Sequence, residues 1–137
     1  METNEHAASQ KPQCPPYCLP KDTQPTIFQL RNHPLNVISV CCKDCVIFIT
    51  VQTDEGCITV IYKDITMKLL RTLFRKNVFL QFHRNYIMHK RYIAGCQCNA
   101  EEGYDVQMHY GPDVKVSKLQ RKAFRNSTGV KPCQMGN

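Results

Sequence analysis

No stretch of this sequence is apolar enough to cross a bilayer. The longest hydrophobic run lies around Val46 to Val51, against the roughly 20 apolar residues that a spanning helix requires. The first 26 residues are polar and proline-rich and hold no apolar segment of the kind a secretory signal needs. A cytoplasmic protein with no membrane partner is the expectation. Also missing are a glycine-rich phosphate loop, a nucleophile elbow and a spaced pair of carboxylates. Acidic residues are scarce in the second half, where a metal-dependent nuclease would need them. The chain therefore reads as a non-enzyme, with no catalytic residue, metal ligand or cofactor assigned. It has no internal repeat and no CxxC matched by a second one. Nine cysteines, an odd number beside no export signal, read as reduced thiols rather than a disulfide framework.

What is present is charge, unevenly placed. Residues 1–61 hold four Lys/Arg and six Asp/Glu, whereas residues 62–137 hold fourteen and five, so nearly all of the basic excess sits in the second half. A field localised in this way attracts nucleic acid or an anionic surface. Two places concentrate it. From Val78 to Ile93, apolar residues bracket the polar cluster His83-Arg84-Asn85. From Val114 to Arg125, a short alternating strand runs into a basic helical turn. Two basic corners on one scaffold suit a surface that meets phosphates.

A length of 137 residues allows one ordinary domain. Residues 1–25 read as a disordered arm, 26–127 as the domain and 128–137 as a flexible tail. Short runs of β-branched and aromatic residues at Ile27–Leu30, Val37–Cys41, Val46–Gln52 and Cys57–Tyr62 predict strands. Cys42-Lys43-Asp44 and Thr53-Asp54-Glu55-Gly56 are short enough for hairpin loops between the last three. Asp64 is placed as the N-cap of a helix reaching about Phe74, the only substantial one, because Ile65, Leu69, Leu70 and Leu73 recur at helical spacing. Further strands follow near Val78–Phe82, Arg91–Gln97, Tyr104–Tyr110 and Val114–Ser117, then a short basic helix. The fold class expected is mainly β, and this order excludes both a parallel α/β sheet and a helix-turn-helix.

This order, with its two basic corners, resembles the LytTR (LytR/AlgR-type) DNA-binding domain found at the C-terminal end of many bacterial response regulators. Phe79-Leu80-Gln81-Phe82-His83-Arg84-Asn85-Tyr86-Ile87-Met88-His89 is similar to the family signature F-x-x-h-H-R-S-y-i-V-N. Val116-Ser117-Lys118 is similar to its V-S-R, and Val37 to Cys41 to its I-x-y-I-E. The resemblance implies an elongated, mainly antiparallel β fold with one inserted helix and a short C-terminal basic helix. It also implies sequence-specific binding of double-stranded DNA, by loops rather than a recognition helix, in successive major grooves, and a role in transcription regulation. Carried onto this sequence, the contacts come from Lys43, from His83, Arg84 and Asn85, and from Lys118 and Arg121, with Arg125 in the same basic run. The chemistry agrees: arginine can fork onto a guanine edge or a phosphate, asparagine can pair with adenine, and lysine neutralises phosphate. The sequence departs from the pattern at Cys41, Asn85, His89 and Lys118, where the family has an acidic residue, Ser, Asn and Arg; the last change keeps charge but loses the planar fork. Familiar members carry a receiver domain ahead of this module. Here a short arm stands in that place, so a stand-alone regulator is expected, binding promoter direct repeats as two copies and controlled in trans, through the arm or through cysteines.

The rival reading is a cysteine-based metal-binding or redox-responsive interaction module on the same scaffold. Cys41, Cys42, Cys45, Cys96 and Cys98 have spacings zinc could use, with His83, His89 or His109 as nitrogen ligands. Cys42 or Cys45 beside Lys43 could carry a more reactive thiolate. Against both stands the simpler reading of Cys41, Cys57 and Cys96 as small core hydrophobes. His83 could equally be a structural hydrogen-bonder. The run from Lys118 to Arg125 could be the solvated face of a helix anchored by Leu119, Ala123 and Phe124. An RNA-binding module would use Phe79, Phe82, Tyr86 and Tyr92 as stacking platforms, but their periodicity puts several of these rings in a core.

Overall fold

The computed structural model describes residues 24–53 and 56–133, so most of the expected N-terminal arm lies outside the described residues. The first element is a helix, α1 (Ile27–Asn32), and not the expected strand. Thr26 Oγ1 accepts from the Gln29 N–H at 3.1 Å while Gln29 Oε1 accepts from the Thr26 N–H at 2.8 Å. This reciprocal capping satisfies two backbone donors and outweighs the β-like local composition. Leu30 is its fully buried anchor.

Strands β1 (Val37–Lys43), β2 (Val46–Thr53) and β3 (Gly56–Tyr62) follow as expected. The next helix, α2 (Met67–Leu73), is capped by Thr66 rather than Asp64, with Thr66 Oγ1 accepting from the Leu69 N–H at 3.2 Å. The later start turns Met67 and Leu70 inward and leaves Leu69 41% exposed. Beyond it lie β4 (Phe79–His83), β5 (Tyr86–His89), β6 (Ile93–Cys98), β7 (Tyr104–Met108) and β8 (Val114–Val116). Of these, β5 had no counterpart in the strand expectations. A 3-10 turn at Lys118–Gln120 leads into α3 (Arg121–Thr128), which is one residue longer than α2. The boundary expected at residue 127 falls inside this helix, and Gly129 closes it in a left-handed conformation (φ 74°).

The architecture is mainly antiparallel β. One sheet runs β3-β2-β1-β5-β4 and the other β6-β7-β8. Val40, Ile47, Ile49 and Ile87 form a core with Leu30 of α1 and Leu70 of α2. Ile38, Phe82 and Met88 instead join Val106, Val116 and Phe124 in a second core between the sheets and α3. Alternation along β5 sends Ile87 to the first core and Met88 to the second, and a register irregularity between Val37 and Ser39 lets Ile38 and Val40, two residues apart, divide in the same way. Phe124 is fully buried, with edge contacts to Phe82 and Tyr104 at ring-centroid distances of 5.7 Å. The rings of Phe79, Phe82 and Tyr92 are therefore core, as the apolar periodicity implied.

Candidate nucleic-acid interface

Two turns come together at one end of the larger sheet. The first joins β1 to β2, with Lys43 paired to Val46 and Asp44-Cys45 between them. The loop thus begins two residues later than expected and is two residues long rather than three, and Lys43 ends the strand. Asp44 and Cys45 both have positive φ, 53° and 64°, as the tight two-residue hairpins that match strand twist require. The second turn, Arg84-Asn85, joins β4 to β5, with His83 paired to Tyr86. Because β1 pairs with β5, placing Cys41 opposite Tyr86, the turns are neighbours. The Cys42 N–H donates to the Asn85 carbonyl at 2.9 Å and ties them together.

The His83–Asn85 corner is shaped by side chains other than its arginine. Gln81 Nε2 donates to the carbonyls of His83 at 3.2 Å and Arg84 at 3.1 Å. The Asn85 N–H donates to His83 Nδ1 at 3.1 Å. His83 Nδ1 is thereby an acceptor, which leaves Nε2 as the protonated nitrogen of the neutral ring. Burial, with the Arg84 and Lys115 charges adding, holds His83 below the usual histidine range. His83 therefore organises the turn, whatever its free nitrogen contacts. Arg84 is exposed and Asn85 half-buried.

The third segment reaches this place from the smaller sheet. The Ser117 N–H donates to the Phe82 carbonyl at 3.0 Å, joining the end of β8 to β4. His83, Arg84, Ser117 and Gln120 consequently border one shallow depression, together with Arg71 of α2. Sequence reasoning missed Gln81, Gln120 and Arg71; for Arg71 the signal was its position on the polar face of the expected helix. Lys118 Nζ pairs with Glu102 at 2.6 Å, both exposed, so part of its charge is already compensated. Arg121 Nε donates to the Lys118 carbonyl at 3.1 Å. Arg125 is set apart: its guanidinium donates to the hydroxyl of buried Tyr104. Leu119 is 90% exposed and Ala123 is also exposed, so Phe124 alone anchors the helix. Asn99 builds the β6–β7 loop beneath Lys118, its Oδ1 accepting from the N–H groups of Glu101 at 3.0 Å and Gly103 at 2.9 Å.

The seven described cysteines are free thiols. Cys57 is exposed rather than part of the core, Cys96 is buried, and Cys41 is half-buried with its thiol pushed up by burial. Among the described residues no group of three or more Cys, His, Asp or Glu side chains is arranged to hold a metal ion. No described helix is long and apolar enough to cross a membrane.

Comparison with known proteins gives a consistent picture. None of the curated proteins searched matches the chain significantly. Among solved structures, the LytTr DNA-binding domain of a Bacillus cereus protein is similar over 69% of this chain and 82% of its own, with a TM-score of 0.56 and 22% identity, a likeness of fold. The profile of the LytTr DNA-binding domain family matches residues 38–129, which span β1 through α3 and include every interface residue described above. The chain belongs to the LytTr DNA-binding domain family.

Proposed function

We propose that the chain binds double-stranded DNA sequence-specifically and regulates transcription, inserting the β1–β2 turn, the β4–β5 turn and the Ser117–Arg121 segment into the major groove. The family is one of DNA-binding transcription regulators. One observation supports the finer reading above others: Cys42 and Asn85, and Ser117 and Phe82, are joined by backbone hydrogen bonds, so three cation-bearing segments distant in sequence share one end of the fold. Within it Arg84 and Asn85 have the chemistry to read base edges, while Lys43, Lys118 and Arg121 neutralise phosphates. Arg125 belongs to this set at most as an accessory, since its guanidinium is engaged by Tyr104. Two copies on neighbouring direct repeats, in the cytoplasm, complete the proposal.

Duplex binding followed by fluorescence anisotropy across a salt series tests it. Four phosphate or base-edge cations predict a slope of log K against log salt of about −3 to −4. Amide shifts on DNA addition should concentrate at residues 42–45, 83–86 and 117–121. A flat salt dependence, or shifts confined elsewhere, would remove the interface from this end of the molecule.

A further inference from the structure

The depression beside the β4–β5 turn gathers donors from three places in the chain, one of which lies outside the three turns. Arg71 comes from α2, Gln81 and Arg84 from the β4–β5 hairpin, and Ser117 and Gln120 from the segment after β8. Its volume is about 290 Å³, just under the roughly 300 Å³ at which small-molecule sites begin, so it suits one compact group. The two flanks belong to different halves of the molecule. Leu70, fully buried in the first core, fixes the helix that carries Arg71. Val116, buried in the second core, fixes the strand that leads to Ser117. The Ser117 N–H bond to the Phe82 carbonyl, at 3.0 Å, holds that segment against β4.

The chemistry of the border is cationic and rich in donors. A guanidinium donates only, and the Ser117 hydroxyl and the Gln120 amide can donate. Ser117 opens the 3-10 turn without capping it through its side chain, whereas Gln81 commits Nε2 to the His83 and Arg84 carbonyls. Arg71 and Arg84 are exposed, and neither is in an ion pair with a described residue. Ile65–Ala100 and Val114–Cys133, which supply the whole border, contain no Asp or Glu. Each base pair presents a donor among its acceptors in the major groove, but a phosphate offers acceptors alone, and it matches the planar fork of arginine. Lys68 and Arg75, both exposed, stand one helical turn to either side of Arg71 and lengthen the cationic flank.

We propose that this depression seats one phosphate of the DNA backbone. The Arg71 guanidinium neutralises it, Ser117 Oγ and the Gln120 amide donate to it, and Arg84 on the rim is left for a base edge. α2 is then a fourth contact element, and the seated phosphate fixes the register in which the turns meet the groove. The seat rests on the DNA-binding reading above.

The test is anisotropy titration of the full chain with its preferred duplex and a scrambled one, across a salt series. Arg71→Gln should keep the unfolding midpoint, weaken both duplexes by the same factor, roughly tenfold, and reduce the salt slope by about 0.9. Arg71→Lys should restore the slope and only part of the affinity, because an ammonium has no fork. A neutral methylphosphonate placed at each backbone position in turn should reveal one position where wild type loses affinity and Arg71→Gln loses none further. Unchanged affinity and slope in Arg71→Gln, beside salt-dependent duplex binding by wild type, would overturn the seat and leave the DNA-binding reading standing. Shifts of the Ser117 and Gln120 amides with sodium phosphate would in that case mark a site for free phosphate. A loss confined to one duplex would make Arg71 a base contact and overturn the seat. Absence of salt-dependent duplex binding by wild type would overturn the seat together with the reading beneath it.

Discussion

Replacing Arg84 with alanine removes a cation from the β4–β5 turn without touching the bonds that shape it. Those bonds run from Gln81 Nε2 to the His83 and Arg84 carbonyls, from the Asn85 N–H to His83 Nδ1, and from the Cys42 N–H to the Asn85 carbonyl. All of them survive truncation of an exposed side chain, so folding stability should stay within about 0.5 kcal/mol of wild type. The effect on binding depends on what the guanidinium meets. A bidentate pair with a guanine edge predicts a loss on the order of 1–3 kcal/mol, roughly 5- to 150-fold in Kd. The loss should be concentrated on the preferred duplex, and a single-base variant at the contacted position should lose far less. The assay is anisotropy titration of matched duplexes at one fixed salt concentration, with reductant present. Equal losses on every sequence would make Arg84 a backbone contact, and no loss at all would refute its place in the interface.

Arg121→Ala should weaken all duplexes about equally and reduce the salt slope by about 0.9, measured in the same titrations. Gly103→Ala should be damaging through the fold: an added Cβ would sit 2.1 Å from the Val116 carbonyl oxygen and 3.2 Å from the Lys118 nitrogen. The β8 end must shift, at a cost of about 1–3 kcal/mol in chemical denaturation together with weaker DNA binding; unchanged binding would detach the Lys118 segment from the interface. Stability should also depend on pH through His89, whose pKa falls from 6.5 to about 4 on burial. Below pH 6.5 the unfolded chain takes up a proton that the folded chain refuses, so this contribution is complete above about 6.5 and is lost as pH falls toward 4. Denaturation of wild type against His89→Asn should show a difference that shrinks by about 3 kcal/mol over that window; parallel curves would show that the buried ring does not titrate this way.

Much of the fold was legible because strands write their alternation locally. The runs beginning at Val37, Val46 and Cys57 became β1, β2 and β3 almost residue for residue. The strand expected at Ile27–Leu30 rested on three apolar residues in a row of four, when the capping pair Thr26 and Gln29 was the better signal. The strand β5 was passed over because it has only four residues and basic neighbours on both sides. The alternative reading of Lys118 to Arg125 as the solvated face of a helix counts Leu119 among its anchors, yet that side chain is exposed. A 3-10 turn occupies Lys118–Gln120, and helical phase starts only at Arg121. The candidate residues were visible as basic corners, but their juxtaposition was not. It depends on β1 pairing with β5 and on Ser117 bonding to Phe82, both long-range. The pairing of Lys118 with Glu102 and of Arg125 with Tyr104 is likewise a product of the folded chain, invisible to local pattern.

The central claim, that this cluster of turns reads a DNA sequence, is tested most directly by selecting bound duplexes from a random pool at near-physiological salt with reductant. Sequence reading by these turns predicts recovery of a defined motif, repeated at helical-turn spacing, and loss of preference at one of its positions when the selection is repeated with Arg84→Ala. A pool that stays random after selection, from protein that is folded and binds duplex in a salt-dependent way, would contradict sequence reading by these turns.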